Sequence, residues 1–483
     1  MLHGKDINKI SELKNGFTPK WLEPDFISSS LKCFTFSKLC KVVSEVKLKG
    51  YSFEWIMTIL LSMPFIAANS VNSMLSGCVQ HHIEARKDTF YRIKNNQSIC
   101  WRMLLWLFAA KFKMLTDSRS NDQDTPKCMV FDDSTIVKTG KNIEMVSRVF
   151  DHVTQRYLLG FKLLAMGYWD GISFIPLDFS MHRERGKNKE KPFGLKKKEL
   201  KKQHKTKRQC GSFSDERAKE VDMSKIDCAI KMFRRAISQG FLVDYVLMDS
   251  WFTCEAFVNA VLSVKKQTVH LIGMYKTAKT KFLYNGAMHT HKEIRNMTGK
   301  PKRCRKLGFY YTEAQVYFKG KPIKLFFSKQ GKNGKWKVFL CTDTKLSFIK
   351  MLEIYQIRWT IEVFFKESKQ LLGLGRCQSN NFDAQIADTT ITMVQYILLT
   401  MKYRVEHYES MTGMFLGVKE ETVKQRLDQR LWGLFIELVQ IIAVLFEDID
   451  EQELLEKIFQ SEIASQIINN ILRNDPNQLN KVA

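Results

Sequence analysis

From residue 127 the chain repeats short apolar runs, each ending abruptly in polar residues, with amphipathic stretches between them. The runs are "CMVFDDS", "RYLLGFKLLAMGYWDG", "SFIPLDFSMH", "DYVLMDSW" and "TVHLIGMY". Runs of this length, rich in Val, Ile, Leu and aromatic residues, read as strands buried on both faces. The second and third read as a hairpin turning at Asp170-Gly171. The stretch "KIDCAIKMFRRAISQG" before the fourth run and "CEAFVNAVLSVKK" after it have helical spacing. Strands and helices in this order indicate an α/β layered core.

Around that core, residues 1–115 read as helical and basic. Their segment 84–97, "EARKDTFYRIKNNQ", interleaves Arg86, Lys87, Arg92 and Lys94 with Phe90 and Tyr91. Such a segment lays cations on phosphate over packed rings, or simply forms a solvated basic helix face. Core residues 127–274 contain a lysine-rich run, 183–208, with almost nothing to bury; it is expected to be a mobile loop or tail-like excursion, either simply solvated or with Lys196, Lys197 and Lys198 meeting phosphate. Residues 275–345 hold "AQVYFKGKPIKLFFSK" and "KWKVFLCT" between Gly/Lys/Asn turns and read as an antiparallel β-subdomain. A helix follows over 346–376. Residues 377–483 read as a helical tail suited to dimerisation, with "LWGLFIELVQIIAVLF" as a buried or partner-facing helix and Asp450 with Glu453 as a reciprocal cap for the next.

A formal charge of +26, from 76 Lys and Arg against 50 Asp and Glu, draws polyanions, and nucleic acid is the expected partner. Eleven cysteines form no C-x-x-C pair and no zinc-spaced cluster, which suits reduced thiols in a cytosol. The apolar runs 55–68 and 431–446 are short for a bilayer, and "MLHGKDINKISELKNG" lacks a signal-peptide core, so no membrane partner is expected.

Three acids stand where chemistry would use them. Asp133 follows "CMVF" and Asp132, Asp249 follows "YVLM", and each is expected at the carboxyl end of a buried strand, where α/β sheets place ligands. Glu362 lies in "YQIRWTIEVFFKESKQLLGLGR". Read as one continuous helix at about 100° per residue, that stretch puts Tyr355, Arg358, Glu362 and Lys369 within an arc of roughly 60°. Ile354, Ile357, Ile361, Phe364 and Phe365 fall elsewhere on it. Three carboxylates brought together repel one another, and a pair of divalent ions is the natural compensation. Such a trio suits phosphodiester cleavage and transfer. Arg358 and Lys369 fit as phosphate clamps and Tyr355 as a donor or stacking ring. Taken singly, Arg358 and Glu362 are a routine i,i+4 pair, Asp133 a turn residue and Asp249 a helix N-cap.

The pattern Tyr355-x2-Arg358-x3-Glu362-x6-Lys369 resembles the signature of IS4-type DDE transposases of bacterial insertion sequences. "FDDSTIVKTGK" resembles that family's first-aspartate motif, and "LMDSWF" its second, with Phe252 three residues after the aspartate. The resemblance runs over about 130–376. It implies an RNase H-like catalytic core with a β-rich insertion, here 275–345. It also implies cleavage of transposon ends with two Mg2+ ions, which Mn2+ replaces, often through a hairpin intermediate. Strand transfer into double-stranded target DNA within a homodimer in the bacterial cytoplasm completes that picture. By position, Asp133, Asp249 and Glu362 would hold the metals, with Asp132 the alternative first acid, and Tyr355, Arg358 and Lys369 would contact end DNA. Asp133 is preferred because small hydroxyl residues follow it directly, as in "DST". The readings left beside this one are an RNase H-like nuclease without strand transfer and a catalytically silent DNA-binding derivative. In "GLGR" the glycines read as helix termination rather than a dinucleotide fingerprint.

Overall fold

The structure, a computed structural model, describes residues 25–43, 50–66, 68, 70–78, 85–117, 125–276, 280–406, 408–420, 422, 457, 460–463 and 466. The opening segment 1–24, the apolar stretch 431–446 and the expected cap at Asp450 and Glu453 lie outside them. Two compact units divide the chain: one comprises 30–61 and 85–412, the other 1–29, 62–84 and 413–483. In the second unit Phe65 packs against Phe26 and Phe415, with ring centroids at 5.3 and 5.4 Å.

The first unit is built on one sheet. Its core strands are β1 (Cys128–Val137), β2 (Ser147–Asp151), β3 (Arg156–Trp169), β4 (Phe174–His182), β5 (Tyr245–Met248) and β6 (His270–Tyr275). Across the centre the order is β4, β3, β1, β5, β6. The first two pairings are antiparallel, and β1·β5 and β5·β6 are parallel. β2 lies beside the first residues of β3, and β4 takes over from Lys162. All nine residues of β4 are buried, as a near-continuous apolar run requires of a strand covered on both faces. The hairpin turns where expected: Asp170 Oδ1 accepts from the amides of Ile172 (2.9 Å) and Ser173 (2.8 Å), and Gly171 takes φ +106°.

Helices cover the sheet. They include α1 (Phe36–Val43), α2 (Phe53–Ser62), α3 (Lys87–Lys94), α4 (Trp101–Asp117), α5 (Lys197–Lys201), α6 (Phe213–Glu220), α7 (Lys225–Ser238), α8 (Glu255–Leu262), α9 (His291–Met297), α10 (Phe348–Gln356), α11 (Trp359–Gln370) and α12 (Phe382–Val405). α12 is buried almost all round from Phe382 to Met401, which makes it the core helix of the unit. Among the described residues no helix is long and apolar enough to cross a membrane.

One expected segment folds as read and two expectations need correction. The segment 275–345 is antiparallel, as expected, and continues the core sheet. Its strands β7 (Lys281–Tyr284), β8 (Ala287–Thr290), β9 (Lys302–Cys304), β10 (Phe309–Phe318), β11 (Lys321–Gln330) and β12 (Lys337–Cys341) extend the core sheet, because β12 pairs with β6. The segment 183–208 is not a loop with nothing to bury. Leu195 is buried, and Arg208 forms a bidentate pair with Glu144 (2.8 Å to each oxygen) and reaches Asp383 at 3.3 Å. His204 N donates to Asn142 O and Thr206 N to Glu144 Oε1. Composition predicted mobility here because the acids that satisfy its cations lie elsewhere in the sequence. Finally, 355–370 is not one helix. Between α10 and α11, Ile357 N bonds to Ile354 O, Arg358 N to Tyr355 O and Ile361 N to Arg358 O. This i→i+3 turn is wound more tightly than an α-helix, and it leaves the Tyr355 ring 5.8 Å from the Arg358 guanidinium.

Candidate active site

Strand register brings two of the acids together. β1 and β5 run parallel, and their last paired residues are Phe131 and Met248. The next residue on each strand is an aspartate, Asp132 and Asp249. β5 stops there: Asp249 Oδ1 accepts from the amides of Trp251 (2.8 Å) and Phe252 (3.3 Å), while Thr253 Oγ1 donates to Asp249 O at 2.7 Å. That turn sits on β6 at Gly273, where a Cβ would lie 2.1 Å from Thr253 Oγ1, so only glycine fits. Asp249 thus ends a strand as expected, but it does not cap the following helix, whose N-cap is Cys254.

β1 does not end at its acids. It continues to Val137 because β3 pairs along its whole length. The expectation that Asp133 closes a strand is therefore corrected: Asp132 and Asp133 lie within β1, and consecutive strand residues address opposite faces. Asp132 Oδ2 accepts from Arg358 Nη1 at 2.9 Å. Asp133 is instead ion-paired with Lys225, the first residue of α7. The signal for this lay in run length: "CMVF" and "YVLM" are each four residues long, so parallel alignment puts Asp132, not Asp133, level with Asp249.

Arg358 joins the third acid to the site. Its Nη2 donates to Glu362 Oε1 at 2.5 Å, so one guanidinium bridges Asp132 and Glu362. Asp133 and Glu362 are not brought into contact. Lys369 donates to Ser134 Oγ (2.7 Å) and Thr135 O (3.1 Å), which pins α11 along β1. Tyr355, expected to reach DNA, is buried at 7% exposure. Its hydroxyl donates to Met248 O at 3.2 Å, immediately before Asp249. Tyr355→Phe is expected to leave DNA affinity unchanged while lowering stability by about 0.5–1.5 kcal/mol, the usual worth of one hydrogen bond. Denaturation midpoints and binding isotherms on the same variant check this, and a loss of affinity without a loss of stability would restore the DNA contact.

Burial pushes the Asp132 carboxyl up to about 7; Arg358 pulls it back, and the Asp249 charge adds to the rise. A buried carboxylate beside a second one is short of positive charge, and an all-oxygen set of this kind suits a hard divalent cation. As placed, Glu362 is held by Arg358 rather than against the aspartates. No three Asp, Glu, His or Cys side chains among the described residues converge as a metal site.

The remaining predicted contacts lie apart from this cluster. Arg86 and Arg92 are exposed at and on α3, over the buried Phe90. Lys94 turns inward to Asp388 at 2.7 Å. Lys196, Lys197 and Lys198 are exposed around the start of α5.

Residues 169–398 match the family model of the transposase DDE domain. The match supports a DDE transposase. It spans β4, β5 and the insertion through most of α12, and so contains Asp249, Arg358 and Glu362 but begins beyond Asp132 and Asp133. No curated protein matches this chain. For a transposase, the match implies action on DNA with divalent metal and an RNase H-like core, which accords with the mixed sheet described above.

Proposed function

We propose that this chain is a cut-and-paste transposase of the IS4 type, which binds the ends of a bacterial insertion sequence, cleaves them and joins the 3′ ends to target DNA. The observation that carries the reading is the register of β1 and β5, which sets Asp132 level with Asp249, with Arg358 linking Asp132 to Glu362. The central order β4, β3, β1, β5, β6, with one antiparallel arm and one parallel arm, supports an RNase H-like core.

In this reading Asp132, Asp249 and Glu362 would hold two Mg2+ ions, or Mn2+ in their place. The ions supply activation of the attacking oxygen and stabilisation of the leaving one. Asp132 takes the place expected of Asp133, which Lys225 engages. Arg358 neutralises Asp132 and Glu362, and its guanidinium fork has the shape to take a phosphate. Tyr355 and Lys369 act as positioning residues: Tyr355 holds the end of β5, and Lys369 locks α11 to β1. The exposed Arg86, Arg92 and Lys196 to Lys198 contribute counterion-releasing contacts to duplex DNA. The protein works as a homodimer on paired ends in the bacterial cytoplasm.

The test is magnesium-dependent cleavage of the DNA flanking the gene, comparing wild type with Glu362→Gln. Cutting at inverted repeats by wild type alone is the expected result. Equal cutting by both proteins removes Glu362 from the chemistry, and binding without cutting in magnesium or manganese returns the chain to a silent DNA-binding derivative.

A further inference from the structure

Between residues 281 and 340 stand fifteen lysines and arginines against two glutamates, half of the +26 net charge of the whole chain. Both glutamates are already engaged: Glu293 lies 3.9 Å from His289 and Glu313 3.4 Å from Lys324. The strands set part of this charge in a row. Register pairs Arg303 of β9 with Tyr310 of β10, and Tyr310 with Lys329 of β11. Ser328 pairs with Lys337, so Trp336, one residue before β12, stands next to Lys329. Cross-strand neighbours share a sheet face, and here they alternate cation and ring. The Arg303 guanidinium and the Lys329 ammonium lie 5.9 and 5.8 Å from the Tyr310 centroid. Lys329 also lies 5.3 Å from the Trp336 centroid, and Arg295 of α9 lies 4.9 Å from the same ring. Arg303 is exposed and the other four are half-buried. Rings attract cations without neutralising them. Among the described residues none of the three cations pairs with a carboxylate, so their charge stays available at fixed spacing.

The row stands apart from Asp132, Arg358 and Glu362. Register puts Asp249, the residue after Met248, level with Met274, and Met274 with Phe339 and Phe326. Phe339 packs against Tyr355 of α10 at 5.0 Å, on the side of the sheet that carries Arg358. Trp336 and Lys329 lie three residues past that level, about 10 Å at the rise of a strand. An odd step along a strand also turns the side chain to the opposite face. We propose that this row is a second docking track for the phosphate backbone of duplex DNA, on the sheet face away from the acids and indifferent to base sequence. It rests on the DNA reading above and adds to it a surface separate from the cutting site. Strands about 4.8 Å apart put Arg303 and Trp336 about 14 Å from each other. Over that length one DNA strand carries about four phosphates. Contacts to phosphate hold a duplex in place and carry no sequence information.

The test is equilibrium binding at several salt concentrations without divalent metal. The probes are a duplex of mixed sequence and a duplex taken from the DNA flanking the gene. Each lost phosphate contact flattens the slope of log K against log salt by about 0.9, so Arg295→Gln/Arg303→Gln/Lys329→Gln is expected to flatten it by about 2.7 on both duplexes. A control triple, Lys281→Gln/Lys319→Gln/Lys321→Gln, removes the same charge around the turn from β10 to β11 and the start of β7 beside it, at the far end of these strands. It is expected to leave the slope nearly unchanged, with denaturation midpoints of both triples as the check on folding. Equal flattening by the two triples means a diffuse field and overturns the track while the DNA reading stands. A wild-type slope in the first triple overturns it too, and flattening confined to the flanking duplex overturns its indifference to sequence. Wild type that binds neither duplex overturns both readings.

Discussion

Asp132→Asn is expected to lower metal-dependent cleavage by at least about 10²–10³-fold, the scale for losing one preorganised charge-stabilising group. Asp133→Asn is expected to stay within about tenfold of wild type. The two residues are adjacent, so the contrast isolates side-chain direction. Asp132 emerges level with Asp249 and accepts from the arginine that also holds Glu362. Asp133 points the other way, to Lys225. Removing its charge leaves Lys225 without its carboxylate in a largely buried setting, which costs roughly 1–3 kcal/mol of stability. Asp133→Asn should therefore show as a lower denaturation midpoint, and Asp132→Asn as lost turnover. Manganese binding followed by calorimetry gives a second reading, since it should vanish in Asp132→Asn and persist in Asp133→Asn. The opposite pattern in both measurements would return the first catalytic acid to Asp133.

That choice shows how much of the site was legible in the sequence. The strands, the Asp170-Gly171 turn and the helices flanking β5 follow from local apolar period and turn chemistry, and they fold as read. The glycines after α11 end it, as Gly373 at φ +77° and the bond from Leu374 N to Ser368 O show. The motif argument favours Asp133, whereas the equal lengths of "CMVF" and "YVLM" carry the register that sets Asp132 level with Asp249. What the sequence could not carry were facts set by distant partners. The stripe through Tyr355 assumed an unbroken helix, and nothing local in "YQIRW" announces the tight turn at Ile357 and Arg358. The lysine-rich 183–208 looked unanchored because Glu144 and Asp383, which hold Arg208, lie 64 and 175 residues away. The extension of the sheet by β12 depends likewise on a pairing with β6 across the whole insertion.

A buried charge cluster behind β4 carries the second large prediction. Asp178→Ala is expected to cost about 3–5 kcal/mol, the range for removing one partner from a buried ion pair. Asp178 is fully buried, and three arginines from three helices converge on it. Arg102 Nε of α4 lies at 3.0 Å, Arg235 Nη2 of α7 at 2.7 Å and Arg217 Nη1 of α6 at 3.7 Å. Glu220 shares the load, at 2.6 Å from Arg102 Nη2. With Asp178 gone, three guanidinium groups face Glu220 alone, and Arg217 Nη2 already has no hydrogen-bond partner among the described residues. Burial alone would raise the Asp178 carboxyl, but Arg102, Arg235 and Arg217 outweigh it and hold the group at about 2. An unfolded aspartate titrates near 3.9. The folded value is the lower one, so this contribution is fully present above about pH 4 and is lost as pH falls through about 2. Urea midpoints of wild type and Asp178→Ala should accordingly differ most at neutral pH and converge toward pH 2; a gap that stays constant with pH would sink the assignment. The consequence reaches the site through α7, whose first residue is Lys225 and whose Arg235 is anchored to Asp178. Loss of the cluster should therefore release the Lys225 contacts to Asp133 and Trp251 before it disturbs β1 and β5, whose pairing depends on their own ladder.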